Sequence, residues 1–296
     1  MTTGSKTLYT RVGVAVLAII LMIVAVNCCS CRGTGVRIPG APAEEKAKAL
    51  FDRGWAKFES GDTAGAIADY TAVLEMPDAP TGQKARALIN RGMAKVGFRD
   101  VLGEIADYTA VIEMPDAPAE QKAAALFNRG VTRGQSGDTA GEIADYTAVI
   151  EMPDASAEQK AEALVNRIVT KRRSGDTAGA IVDCTAVLEM PDAPAEQKAK
   201  ALFGRGVAKF ESGDMVGAIA DCTAVIEMPD APDNLKAKAL VNRGLAKVRS
   251  GDREGALADW TTVVGMPDAS AEAKARAAAA MRRTQTDSDK SGATGE

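Results

Sequence analysis

The tripeptide Met-Pro-Asp starts at Met76, Met114, Met152, Met190, Met228 and Met266, each copy 38 residues after the last. A period of this size commits the chain to stacked supersecondary units, because one unit cannot bury its own apolar face and must lean on its neighbours. The units run over residues 43–80, 81–118, 119–156, 157–194, 195–232 and 233–270. Inside 119–156, Ala123, Leu126, Phe127, Gly130 and Val131 recur at helical spacing, and Ser136-Gly137-Asp138 then stops the first helix. Glycine takes the left-handed conformation that closes a helix, and aspartate caps the next one. A second helix from Thr139 to about Glu151 carries Ile143, Tyr146, Val149 and Ile150 on its apolar side. Pro153 ends it, and Asp154 is expected to cap the first helix of the following unit. The fold class is therefore all-α, a solenoid of helix–turn–helix units. Residues 271–283 add one capping helix with a polar outer side, and 284–296 read as a short disordered tail.

Composition narrows the function. None of the 296 residues is histidine, so serine triads, cysteine–histidine dyads and most zinc sites are excluded. Net charge is −4 with both signs interleaved, which offers no broad basic surface to nucleic acid. Five cysteines fall in two groups: Cys28, Cys29 and Cys31 together, and Cys184 and Cys222 inside the units. A single Cys-Cys-x-Cys cluster with no second ligand pair is weak grounds for a metal.

Near the amino end, the segment 12–31 between Arg11 and Arg32 holds 20 uncharged residues. As a helix it would span about 30 Å, a bilayer hydrocarbon core. The expected arrangement is a tail over 1–11, a single transmembrane anchor over 12–31 and a flexible Gly/Pro-rich linker over 32–42. Two processed forms compete with an uncleaved anchor: a cleaved signal peptide and a lipoprotein joined at Cys28. Asn27 suits neither cleavage well. All three place the chain at, or across, a membrane. Lys6 and Arg11 are balanced by Arg32 and Arg37, so the short leading tail and the uncharged span, rather than charge bias, favour an inside amino end with the units on the extracytoplasmic side. The linker lacks the Gly-Lys-Ser/Thr ending of a phosphate loop.

Leu126, Gly130, Gly137-Asp138, Ile143, Tyr146 and Pro153 fall at the signature positions of the tetratricopeptide repeat, which residues 43–270 resemble. That resemblance implies a right-handed superhelix with the first helices lining a concave groove, and scaffolding rather than catalysis. Three departures stand out. Ile168 replaces the usual glycine of the fourth unit, so the helices there should pack less closely or shift. Gly97-Phe98-Arg99-Asp100 replaces the Ser-Gly-Asp corner of the second. Lys57, Lys95, Arg133, Lys171, Lys209 and Lys247 stand where the family has tyrosine, which predicts a thinner core.

Several rows of residues repeat with the period. Arg53, Arg91, Arg129, Arg167, Arg205 and Arg243 are each followed sixteen residues later by Asp69, Asp107, Asp145, Asp183, Asp221 and Asp259. A site made six times over is structural, and an arginine–aspartate bridge between the two helices is expected. Beside the arginines, Asn90, Asn128, Asn166 and Asn242 resemble the asparagine ladder by which some such superhelices hold an extended peptide, with Asp52 and Gly204 as interruptions. Phe51, Trp55 and Phe58, with Phe127, Phe203 and Phe210, divide between groove contacts and core. Cys184 and Cys222 share one position with Tyr70, Tyr108, Tyr146 and Trp260, a packing site, and are expected to be inert thiols.

The combined reading is a non-catalytic, membrane-tethered scaffold without cofactor or metal. Its groove would hold a peptide or protein through Asn90, Asn128, Asn166, Asn242, Phe51 and Trp55, and neither nucleic acid nor a small-molecule substrate is expected. The alternative is a self-assembling structural protein of a membrane-associated complex.

Overall fold

The computed structural model describes residues 42–292, and side chains as far as 286. The expected anchor, the cysteine cluster at 28–31 and nearly all of the linker lie outside the described residues. Among the described residues no helix is long and apolar enough to cross a membrane.

Six helix pairs follow one another: α1 (Ala43–Glu59) with α2 (Thr63–Glu75), α3 (Thr81–Lys95) with α4 (Val101–Glu113), and α5 (Ala119–Gln135) with α6 (Thr139–Glu151). Next come α7 (Ala157–Arg173) with α8 (Thr177–Glu189), α9 (Ala195–Ser212) with α10 (Met215–Glu227), and α11 (Asp233–Arg249) with α12 (Arg253–Gly265). A final helix, α13 (Ala271–Gly292), runs past the expected boundary at 283, because no proline or glycine interrupts the stretch until Gly292.

The corners follow local chemistry. In each pair the turn aspartate caps the second helix; the Asp138 carboxylate accepts the Gly141 N–H at 2.9 Å. Gly137 just before it has φ +92°, where a side chain would be strained. The second pair departs as expected: a 3₁₀ turn over Val96–Phe98 ends α3, and Arg99 takes the left-handed conformation at φ 56°. The capping expected of Asp154 does not occur. Ser156 caps α7 with a reciprocal capping box to Gln159, and proline holds the equivalent place before α3, α5, α9 and α11. Lys84, Lys122, Lys160, Lys198, Lys236 and Lys274 each donate, at 3.1–3.3 Å, to the proline carbonyl just past the preceding second helix.

Packing within a pair turns on one close approach. Gly92 of α3 lies against Tyr108 of α4, and a Cβ there would stand 2.8 Å from the ring. Gly54 meets Tyr70 in the same way, and Gly244 meets Trp260. In the fourth pair the first helix carries Ile168, and the opposite residue shrinks to Cys184; both are fully buried in one cluster. The expected loosening is thus met by an exchange of bulk between the two helices, as close packing requires.

Each first helix also touches the first helix of the next pair, whereas no two second helices make a comparable contact. First helices therefore form an inner layer and second helices an outer one. Gly92→Ala should cost about 1–3 kcal/mol by overpacking against Tyr108. Tyr108→Cys in the same chain should recover part of that loss. Thermal unfolding of both single variants and the double variant checks this, and strictly additive losses would refute the exchange of bulk.

Candidate interaction face

The rows that repeat in the sequence meet at the seam between first and second helices. Each second-helix aspartate is only 2–5 % exposed, so its charge must be paired. The arginine sixteen residues earlier supplies a two-pronged clamp. Arg129 donates from Nε and a terminal nitrogen to the two Asp145 oxygens, at 3.0 and 2.7 Å. The same pair of bonds recurs at Arg53–Asp69, Arg91–Asp107, Arg167–Asp183, Arg205–Asp221 and Arg243–Asp259.

The residues expected to thin the core have another role. Lys57, Lys95, Arg133, Lys171, Lys209 and Lys247, one turn after each arginine, bring a second cation to the same carboxylate at 2.8–3.0 Å. Burial alone would raise the Asp69 carboxyl, but hydrogen bonds from Arg53 and Lys57 outweigh it and hold it below its ordinary range. The raised Arg205 guanidinium reflects first its bond to Asp221.

Sequence reasoning missed a third set of partners. From the second pair onward, each arginine also donates to a threonine hydroxyl on the second helix of the preceding pair. The distances are 3.1 Å for Arg91–Thr71, 2.9 Å for Arg129–Thr109 and 2.7 Å for Arg167–Thr147. Arg205–Thr185 and Arg243–Thr223 continue the series at 3.4 and 3.0 Å. Thr71 and its equivalents recur every 38 residues, and that period was the available signal. One guanidinium thus joins three helices and two pairs. In α13 the equivalent position is Met281, so the network ends there.

With the seam so occupied, the inner face of the first helices is set apart from it. One row along that face is apolar: Trp55, Met93, Val131, Val169, Val207 and Leu245. All are at least partly exposed, Val169 at 54 %. Trp55 lies beside Phe58, ring centroids 6.0 Å apart. Phe51, by contrast, is 5 % exposed and packs on Tyr70 at 5.6 Å beneath the Arg86 guanidinium, which makes it core. Phe127 repeats that packing on Tyr146.

The asparagines divide as well. Asn90 is buried, and Asn166 half-buried; each donates one amide N–H to the carbonyl one turn back, Arg86 and Glu162, at 2.9 Å. That leaves each one N–H and a carboxamide oxygen. Asn128 and Asn242 are half-buried on the same register.

No family profile and no curated protein matches the chain. Solved structures do. PilW, described as a widely conserved type IV pilus biogenesis factor, aligns with a TM-score of 0.57 at 13% identity, over 77% of this chain and 97% of its own. The Cut9–Hcn1 hetero-tetramer of the APC/C gives 0.52 at 14% identity, over 81% of this chain and 43% of the matched one. A tetratricopeptide repeat protein from Parabacteroides merdae gives 0.43 at 18%, over 81% and 99%. The fold is tetratricopeptide-like. At these identities the likeness concerns architecture.

Within this tetratricopeptide-like array, Glu104 and Glu142 stand on second helices where other pairs carry Ala66, Ala180, Ala218 and Ala256. Both are buried and reach the following pair, Glu142 to Arg173 and Glu104 to the Thr132 hydroxyl, which donates to it at 3.0 Å. Burial raises the Glu104 carboxyl, chiefly by desolvation, with Asp100 adding to the rise and the Thr132 bond and Lys95 opposing it. Cys184 and Cys222 are free and buried, and burial pushes both thiols up to about 12, far from a reactive thiolate. Among the described residues no His, Cys, Asp or Glu cluster gathers in metal-binding geometry.

Two outcomes follow from these groups. Arg129→Ala leaves a buried carboxylate and a threonine short of a partner, and should cost about 1–3 kcal/mol. Arg53→Ala should cost less, since Arg53 is 54 % exposed and no threonine bond is formed by it. Equal melting losses would contradict the three-helix role. Glu104, with a folded-state pKa above its unfolded one, favours the folded state while protonated, and its contribution falls as pH rises through the folded value. Glu104→Gln should therefore raise the melting temperature at about pH 7, with the gain vanishing below about pH 4. A loss at neutral pH would show that the charge is needed.

Proposed function

We propose that the chain is a non-catalytic scaffold that binds a peptide or protein along its inner first-helix face and is held at a membrane through residues 12–31. The observation that carries the reading is a division of labour. The arginines, aspartates, lysines and threonines are used up between helices, while the apolar row from Trp55 to Leu245 stays partly exposed on the opposite register. Partner side chains would rest on that row, and the half-buried amides of Asn128, Asn166 and Asn242, with the edge that the buried Asn90 still exposes, would take the backbone of an extended segment. Phe51 would support the face from beneath, through its packing on Tyr70.

The similar Cut9–Hcn1 structure is itself an assembly of two kinds of chain, which accords with this use of the architecture. Self-assembly is less favoured, because α13 covers the last pair and breaks the arginine network with Met281. The uncharged segment 12–31 supports tethering by its length alone.

Affinity capture from native membranes tests the reading with three forms of the full chain. The wild type is compared with Asn90→Ala/Asn128→Ala/Asn166→Ala and with an outer-face control, Leu102→Asp/Val216→Asp, whose residues are 82 % and 80 % exposed on second helices. The partner should be retained by the control and lost by the asparagine variant. Loss from the control alone would move the binding surface to the outer layer.

A further inference from the structure

The carboxyl-terminal half of the inner face carries an open depression of about 380 Å³, crossing α7, α9, α11 and α13. That is within the range of small ligand pockets, about 300–1,000 Å³. Its floor is apolar: Phe203, Val207 and Phe210 from α9 and Leu245 from α11, all half-buried. It lies where Gly204 interrupts the asparagine row, so Asn242 is the one carboxamide at its edge.

The rim is cationic. Arg172 of α7 clamps Glu211 through two bonds of 3.0 and 2.6 Å, which neutralises the one carboxylate in the lining. Arg276 of α13 closes the far side, and Arg249, outside the lining itself, reaches it through Phe210, its guanidinium lying over that ring 4.1 Å from the centroid. Nearby ion pairs join Lys200 to Glu196 and Arg243 and Lys247 to Asp259, so Arg249 and Arg276 have no carboxylate partner among the described residues. Both are exposed. The charge around them is biased in the same sense, because second helices carry carboxylates and, apart from Arg253, no lysine or arginine. Cations are therefore concentrated on the first helices, which line this face.

We infer that the depression is a specificity pocket for an acidic peptide, one that seats a bulky apolar side chain on the Phe203/Val207/Phe210/Leu245 floor and sets flanking carboxylates against Arg249 and Arg276. This rests on the groove reading above and adds to it the chemical class of the partner. The apolar residue supplies burial, and the carboxylates supply orientation and rate of encounter. An arginine stacked on an aromatic ring is already held in place and loses little freedom on binding a carboxylate. A basic segment would meet two unpaired guanidinium groups and be repelled.

The test uses the full chain in detergent and three fluorescein-labelled probes: an Asp/Glu peptide with one central Phe, the same peptide with Ser for Phe, and its Lys/Arg counterpart with Phe kept. Fluorescence anisotropy should show the acidic Phe peptide binding at least about tenfold more tightly than either of the others, and weakening as salt is added. Arg249→Glu/Arg276→Glu should abolish that preference with only a small fall in melting temperature, both residues being exposed and the Phe210 contact being the one lost. Val207→Ser should weaken the acidic Phe peptide alone. Equal binding of the acidic and basic peptides, equal binding of the Phe and Ser forms, or an acidic preference surviving the double reversal would each overturn the pocket. The asparagine variant keeps the two readings apart: capture lost in it while no peptide binds this depression removes the ligand class and leaves the groove standing.

Discussion

An ionised carboxylate on each second helix, almost wholly removed from water, is the constraint around which every pair is built. Such a charge is stable only if its lone pairs are filled, and here two cations from the facing first helix fill them. Because a guanidinium binds a carboxylate in a planar fork, the clamp fixes how one helix slides and rotates on the other. The third bond, to the threonine of the preceding pair, extends that register from one pair to the next. A stack made of such steps is cooperative through nearest neighbours, and each guanidinium from Arg91 to Arg243 is part of two interfaces.

This arrangement has a consequence for the surface. Pairing each aspartate with two cations places an excess of positive charge on the first helices, while the second helices, apart from the buried Glu104 and Glu142, keep their remaining carboxylates outside. Among the described helices the inner layer is thereby basic and the outer layer acidic, although the whole chain has a net charge of only −4. The first-helix row Trp55, Met93, Val131, Val169, Val207 and Leu245 is not consumed by the seam, since it stands on another side of the helix. The clamp and the partly exposed apolar row occupy different faces of one helix, which lets the row vary from Trp55 to Val169 while the clamp stays constant.

Much of the fold was legible in the residues, because its signals are local. Glycine and aspartate at the corners, proline after each second helix and a period of 38 residues specify helix pairs without knowledge of distant contacts. The arginine–aspartate bridge was legible too, as a fixed offset of sixteen within one unit. Other features were not. The lysine row looked like lost tyrosines, because nothing in a sequence says that a residue one turn past an arginine shares its carboxylate. Thr71 and its equivalents carry no mark of their role, because threonine is common and the bond crosses from one unit to the next. Ile168 reads as a defect in its own helix, and only the fold sets the small Cys184 opposite it. Phe51 and Trp55, four residues apart on one helix, looked alike as groove residues, yet one is core and the other is partly exposed.

The sequence by itself determined the helical class, the unit length, the corners and the residues forming the clamp, since these depend on backbone preference and on spacing along a single strand of chain. It also supplied the uncharged segment 12–31, which lies beyond the described residues. Only the tertiary structure decided which side of each first helix is buried, which asparagines spend an N–H on their own helix, and where Phe203, Phe210 and Arg276 gather into one depression. Those properties depend on the rotation of one helix against its neighbours, and rotation is set by close packing at contacts such as Gly92 on Tyr108, which no single helix contains.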